Sequence, residues 1–147
     1  MVRLGVLVVL VALLLLGGSA LAQIPDWSLG QNAPEPFCND EGGGGTTIRF
    51  TLQTQARVAM NVWDADMTFV VRSLIEGELK NPGVHMIAWD GHDQAGVRVP
   101  DGAYPYTLIA TNEGGGEILF QDTKVAHVQC DTPVAVTTWG VIKALYR

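Results

Sequence analysis

The run Trp89-Asp90-Gly91-His92-Asp93-Gln94-Ala95-Gly96-Val97-Arg98-Val99-Pro100-Asp101-Gly102-Ala103-Tyr104-Pro105-Tyr106 reads as a strand end, a polar loop, a short extended piece, a second turn and another strand. Trp89 and Tyr104 are large apolar residues of the kind that anchor a sheet core, and Tyr106 shares a face with Tyr104 because side chains alternate along a strand. Gly91 and Gly96 supply left-handed turn positions without a steric cost. Pro100-Asp101-Gly102 is a second turn, with Pro presetting φ and Gly accepting the position after it. These are parts of a β-sandwich, and none of them is a catalytic device.

The same pattern extends to both sides. Ile48, Phe50 and Leu52 alternate with polar residues over Thr46–Leu52, and Val58, Met60 and Val62 do so over Arg57–Trp63. Asp64-Ala65-Asp66 turns the chain into a strand over Phe69–Leu74. Asn81-Pro82-Gly83 is the next turn, followed by strands over Val84–Trp89 and Tyr104–Thr111. Glu117–Phe120 and Lys124–Gln129 are expected to be two short strands, paired across Gln121-Asp122 or across the Asn112–Gly116 tip. Short strands at regular spacing predict an all-β fold, an immunoglobulin-like antiparallel β-sandwich of about seven to nine strands. Pro105 cannot donate a ladder hydrogen bond, so its end of the strand is expected at an edge or bulge.

Residues 1–22 read as a signal peptide. A basic start at Arg3 precedes an almost unbroken apolar run from Leu4 to Leu16, and Ala20-Leu21-Ala22 provides small residues for cleavage between Ala22 and Gln23. Thirteen residues of helix span about 20 Å, short of a hydrocarbon core of roughly 30 Å. The expected location is therefore secreted, or periplasmic or cell-surface, with no membrane attachment after cleavage. Cleavage leaves 125 residues with eight basic and fifteen acidic side chains, a balance that argues against nucleic acid or anionic membrane as partners. Residues 23–45, with Pro25, Pro34, Pro36 and four consecutive glycines, read as a flexible linker. The sandwich is expected over 46–130. Residues 131–147 form an extension that reads either as a short helix packed on the domain or as a tail recognised by another protein.

Cys38 and Cys130 are the two cysteines, one before the first strand and one after the last. In an oxidising compartment a disulfide between them would close a loop of about 90 residues, for which the chain-entropy account gives up to roughly 4–5 kcal/mol. Free thiols or a metal pair are the alternatives, and two cysteines without a nearby His pair make a poor zinc site. Asp90 and Asp93, with His92 between them, are weak metal candidates. They lack the bidentate Glu of a calcium loop and suit Asx turns better. His85 and His127 read as exposed strand residues. Trp63 and Trp89 could form a sugar-binding strip but sit where strands face a core. No serine lies in a nucleophile elbow, no glycine run joins a strand to a helix with a Lys, and short sandwich loops leave no cleft for paired carboxylates. No cofactor and no enzymatic activity are expected.

Several of these segments, in order, resemble a known family. They are Thr46-Thr47-Ile48-Arg49-Phe50-Thr51-Leu52, Val62-Trp63-Asp64-Ala65, Val71-Arg72-Ser73-Leu74, Pro82-Gly83-Val84-His85, Trp89-Asp90-Gly91-His92-Asp93-Gln94-Ala95-Gly96 and Val99-Pro100-Asp101-Gly102-Ala103-Tyr104. They closely resemble the FlgD-type immunoglobulin-like domain, the small sandwich of flagellar hook-cap proteins that also occurs in secreted bacterial proteins. Pro36-Phe37-Cys38-Asn39 resembles the lead-in to that domain. The resemblance spans roughly 36–111 and departs from the family at Asp66-Met67-Thr68, where a Gly is usual, and at Pro105. It implies a non-catalytic domain. The first expectation is a structural or adhesive role in the cell envelope or outside the cell, with an extracellular or envelope protein as partner through edge strands or the C-terminal tail. The alternatives are an extracellular ligand- or carbohydrate-binding module, and an assembly scaffold resembling the hook cap.

Overall fold

A computed structural model describes residues 26–40, 42 and 44–130. The signal-peptide reading, the Ala22–Gln23 cleavage point and both readings of 131–147 fall outside the described residues. Seven strands form two antiparallel sheets: β1 (Ser28–Leu29), β2 (Thr46–Leu52), β3 (Ala56–Trp63), β4 (Val70–Lys80), β5 (Gly83–Trp89), β6 (Gly102–Thr111) and β7 (Ile118–Val128). One sheet has the order β1-β2-β5 and the other β4-β3-β6-β7. The expected all-β sandwich is therefore the fold. Among the described residues no helix is long and apolar enough to cross a membrane.

Period-two alternation sets the core. Ile48, Phe50 and Leu52 of β2 face Val58, Met60 and Val62 of β3 and Tyr106, Leu108 and Ala110 of β6, all buried. Trp89 is 1% exposed and closes one end of this core. Phe37 and Tyr104 meet its ring edge-on at centroid distances of 5.4 and 5.6 Å, the arrangement aromatic quadrupoles prefer. Asn81-Pro82 carries the chain from β4 in one sheet to β5 in the other, which is where a Pro without a donor is harmless.

β4 uses eleven residues to oppose eight of β3, with shifts in register that leave Val71, Leu74 and Gly77 as extra residues. Gly77 has φ 65°, the left-handed position of a bulge that only Gly occupies freely. These bulges bend β4 away from a flat edge, a device that discourages pairing with another chain.

The structure revises three expectations. Residues 26–40 do not behave as a linker. β1 pairs with β2, Ala33 and Thr47 exchange backbone hydrogen bonds, and Phe37 extends the second sheet in parallel beside Val128. Trp27 stacks on Phe120 at 5.8 Å. The Tyr106 hydroxyl donates to the Gly30 carbonyl (2.8 Å) and accepts from the Asn32 amide (2.9 Å), and burial pushes its pKa up to about 12. Prolines in this segment remove donors where the chain is not paired, so composition alone misrepresented it. The two short strands expected after Gly116 are one continuous β7, registered along β6 from Gly102↔Val128 to Thr111↔Ile118. Gln121-Asp122 contains no residue that would break that ladder. Pro105 lies, as expected, at an end of its strand that is an edge on one side, although β6 as a whole is interior to its sheet. Pairing of β6 with β3 stops at Tyr106, so the missing donor falls beyond that ladder. Trp63 lies on the outer face, where its indole N–H donates to Thr107 Oγ1 at 3.0 Å.

Cys38 and Cys130 form a disulfide that spans 92 residues of sequence. Reduction is expected to lower the unfolding free energy by up to about 4–5 kcal/mol, seen as a lower urea midpoint. A midpoint unchanged by reduction would mean that non-covalent contacts alone hold the N-terminal segment.

Candidate functional site

Three segments meet at one end of the sandwich and enclose an open groove of about 800 Å³. They are the β3–β4 loop, the loop between β5 and β6, and the start of β6. The apolar wall includes Phe69, Val70, Val97, Val99 and Tyr104, while Asp64, Asp93, Asp101 and Arg98 stand around it. Phe69 and Val97 are each 60% exposed, an unusual state for side chains of this size lying side by side in one depression.

The β3–β4 loop is held by one carboxylate. Asp64 Oδ1 accepts from the amides of Thr68 (2.6 Å) and Phe69 (3.0 Å), and Oδ2 accepts from the Thr68 hydroxyl (2.6 Å). The Thr68 hydroxyl, ahead of opposing desolvation and the two amides, holds the Asp64 pKa below the usual carboxylate value. Met67 takes φ 56° in this loop, so the turn is made without the Gly usual in the resembled family.

The second loop straps across the edge of β4. The Gln94 amide donates to Val71 O (2.9 Å), Gln94 Oε1 accepts from the Ser73 amide (3.0 Å), and Arg72 Nη1 donates to Asp93 O (2.9 Å). Asp93 shapes the strap, since its Oδ1 accepts from the amides of Ala95 (3.0 Å) and Val97 (2.9 Å). Asp90 Oδ1 accepts from the His92 amide at 3.0 Å. Both weak metal candidates are thus engaged as Asx-type turn residues. Among the described residues no group of three or more His, Cys, Asp or Glu converges on a common point.

Asn39 ties the loops to the N-terminal segment. It is 2% exposed, and its side-chain amide donates to Gly91 O (2.6 Å) and Val99 O (3.0 Å). Its Oδ1 accepts from Arg98 Nε (3.0 Å), and its backbone amide points at Cys130 Sγ (3.2 Å). Gly91 has φ 74°, and a Cβ there would overlap the Asn39 side chain. Sequence reading placed Asn39 in the lead-in but missed this role. Its neighbour Cys38 and the invitingly small Gly91 were the available signals, separated by about fifty residues.

Of the two strand histidines, His127 is exposed as expected and His85 is not. His85 faces inward and stacks on Phe50 at 5.3 Å, with Nε2 2.7 Å from Asn81 O. His127 is paired through Nδ1 with Glu35, whose carboxylate also accepts the His127 amide. The candidate sugar-binding strip is not formed, because Trp89 is buried and Trp63 points elsewhere.

Asn39→Ala would leave the buried Val99 carbonyl and the Arg98 guanidinium without this partner, while the Gly91 carbonyl keeps the Val99 amide at 3.0 Å. Each such loss costs roughly 1–3 kcal/mol, and the variant is expected to lose about 2–4 kcal/mol in urea unfolding with an unchanged slope. The Asp64 carboxyl titrates lower when folded than the ordinary value of about 3.9. Its grip on the loop is therefore fully present above that pH and lost as pH falls through the lower folded value. The amide resonances of Thr68 and Phe69 are expected to shift together with a midpoint below about 3.9, and Asp64→Asn to abolish that titration.

Comparison with known proteins bears on this architecture. The family model for the FlgD Ig-like domain matches residues 38–114. The chain is 37% identical over 93 residues to the basal-body rod modification protein FlgD of Salmonella typhimurium strain LT2, and equally to the protein of that name from Salmonella typhi. The match covers 61% of this chain and 39% of each relative, so the chain spans about two fifths of their length. These relatives overturn the expected secreted, periplasmic or cell-surface location, since they are named for the basal-body rod. The leader on which that expectation rested lies outside the described residues. The matched span begins at the disulfide, takes in Asn39 and both groove loops, and runs through β6, and it makes this chain a member of the FlgD Ig-like domain family.

Proposed function

We propose that this chain is a non-catalytic assembly scaffold of the flagellar hook-cap kind, acting through protein–protein contacts of its sandwich. The observation that carries this reading is the 37% identity over 93 residues to two basal-body rod modification proteins, beside a family match over 38–114 that contains β2 to β6. An adhesive role drew its support from the expected cell-surface location, which relatives named for the basal-body rod do not support. A carbohydrate module would need a platform of exposed aromatics, and Trp89 is buried under Phe37 and Tyr104.

The surface suits the scaffold reading. β5 ends its sheet among the described residues and turns Val84 and Met86 outward, with Met86 67% exposed. An edge strand with apolar side chains offers both backbone hydrogen bonds and pockets for alternate residues of a partner strand.

The test is a chimera in which residues 26–147 replace the corresponding segment of the Salmonella typhimurium relative. Rod and hook structures are counted by electron microscopy against the native protein and a deletion. Structures well above the deletion level are expected, with a further loss when Met86→Asp is introduced. A chimera that accumulates at native levels, folds, and still matches the deletion would refute the scaffold reading.

A further inference from the structure

The groove at the β5–β6 end has an apolar wall, an acidic rim and a length of chain beginning at its edge. The backbone amide of Cys130 donates to Asp101 Oδ2 at 3.1 Å, and Asp101 is itself a rim residue. The disulfide to Cys38 and the hydrogen bond from Asn39 to Cys130 Sγ fix that exit point. Seventeen residues follow, 131–147, and four large apolar side chains fall within seven of them: Trp139, Val141, Ile142 and Leu145.

We propose that residues 133–146 of this chain occupy the groove of the same molecule, with Trp139 as the anchor against Phe69 and Val97. Reach is not limiting. Nine residues from Cys130 to Trp139 extend to about 30 Å, whereas a domain of about 100 residues has a radius of gyration near 13 Å. Volume is suitable as well, since about 800 Å³ lies in the range of cavities that bury a ligand of several large side chains. Charge agrees with both. Asp64, Asp93 and Asp101 stand around the groove with Arg98, and the segment brings Lys143, with Arg147 directly after it.

Tethering decides between this occupant and a free one. A short flexible link gives an effective concentration on the order of mM, which a separate partner or a second copy seldom matches. The groove would then be covered in the resting chain, and a partner reaching Phe69 or Val97 must displace the segment. The contacts proposed above through β5 are independent of this.

Hydrogen exchange of the full chain, followed by peptide mass spectrometry, tests the assignment. Peptides from 133–146 are expected to exchange about tenfold or more slowly than an unstructured chain, equivalent to about 1.4 kcal/mol. That protection should be the same across a hundredfold dilution. Val97→Asp, at an exposed position that the core does not need, should abolish it. Trp139→Ala should abolish it too, and should speed exchange in peptides covering 64–70 and 93–101. Fast exchange over 133–146 in the unsubstituted chain would overturn the proposal, as would protection that survives Val97→Asp. Protection that falls on dilution would assign the segment to a second copy instead. Should Val97→Asp fail to fold, Trp139→Ala still decides the matter from the groove peptides alone.

Discussion

Asn39 and the adjacent disulfide hold together three parts of the chain that are far apart in sequence. The side-chain amide takes the carbonyls of Gly91 and Val99, the side-chain oxygen takes Arg98, and Cys38 is bonded to Cys130. The Gly91 carbonyl also accepts from the Val99 amide at 3.0 Å, whereas the Val99 carbonyl takes its donor from Asn39, and leaving it unpaired costs roughly 1–3 kcal/mol. The covalent link adds up to about 4–5 kcal/mol by restricting the unfolded chain. Together these terms are comparable to the whole net stability of a typical domain, about 5–15 kcal/mol. The β5–β6 loop, and with it the groove, depends on this closure.

The sandwich around it follows from simpler terms. Alternating apolar residues bury one face of each sheet, and Trp89 fills the end of the core where the two sheets converge with Phe37 and Tyr104 against its edges. The N-terminal segment completes both sheets. β1 covers one side of β2, and Phe37 continues the other sheet beside β7 through hydrogen bonds to His127 and Gln129. Bulges along β4 and the strap from Gln94 to Val71 and Ser73 protect the other edge.

That arrangement leaves apolar surface at several places among the described residues, including the outward side chains of β5 and the groove beside Phe69 and Val97. A single small domain of this kind, with its carboxylates committed to loop amides, has contact surfaces as its functional resource. The scaffold role proposed above would draw on those surfaces.

The sequence by itself determined the strand framework. Period-two burial in β2 and β3, the turn at Asn81-Pro82-Gly83 and the Trp89-to-Tyr104 interval are all local, so a window of ten or twenty residues contains the information. The family was legible for the same reason, because its motifs are strings of turn and strand residues. Tertiary structure decided what those strings close upon. Residues 26–40 looked like a linker because prolines and glycines report local conformation and not distant partners. Distant partners such as β2, Tyr106, Val128 and the carbonyls at 91 and 99 make them part of the fold. Asn39, the inward face of His85 and the groove were illegible for one physical cause. Each depends on contacts between segments tens of residues apart, and periodicity cannot carry information across that separation.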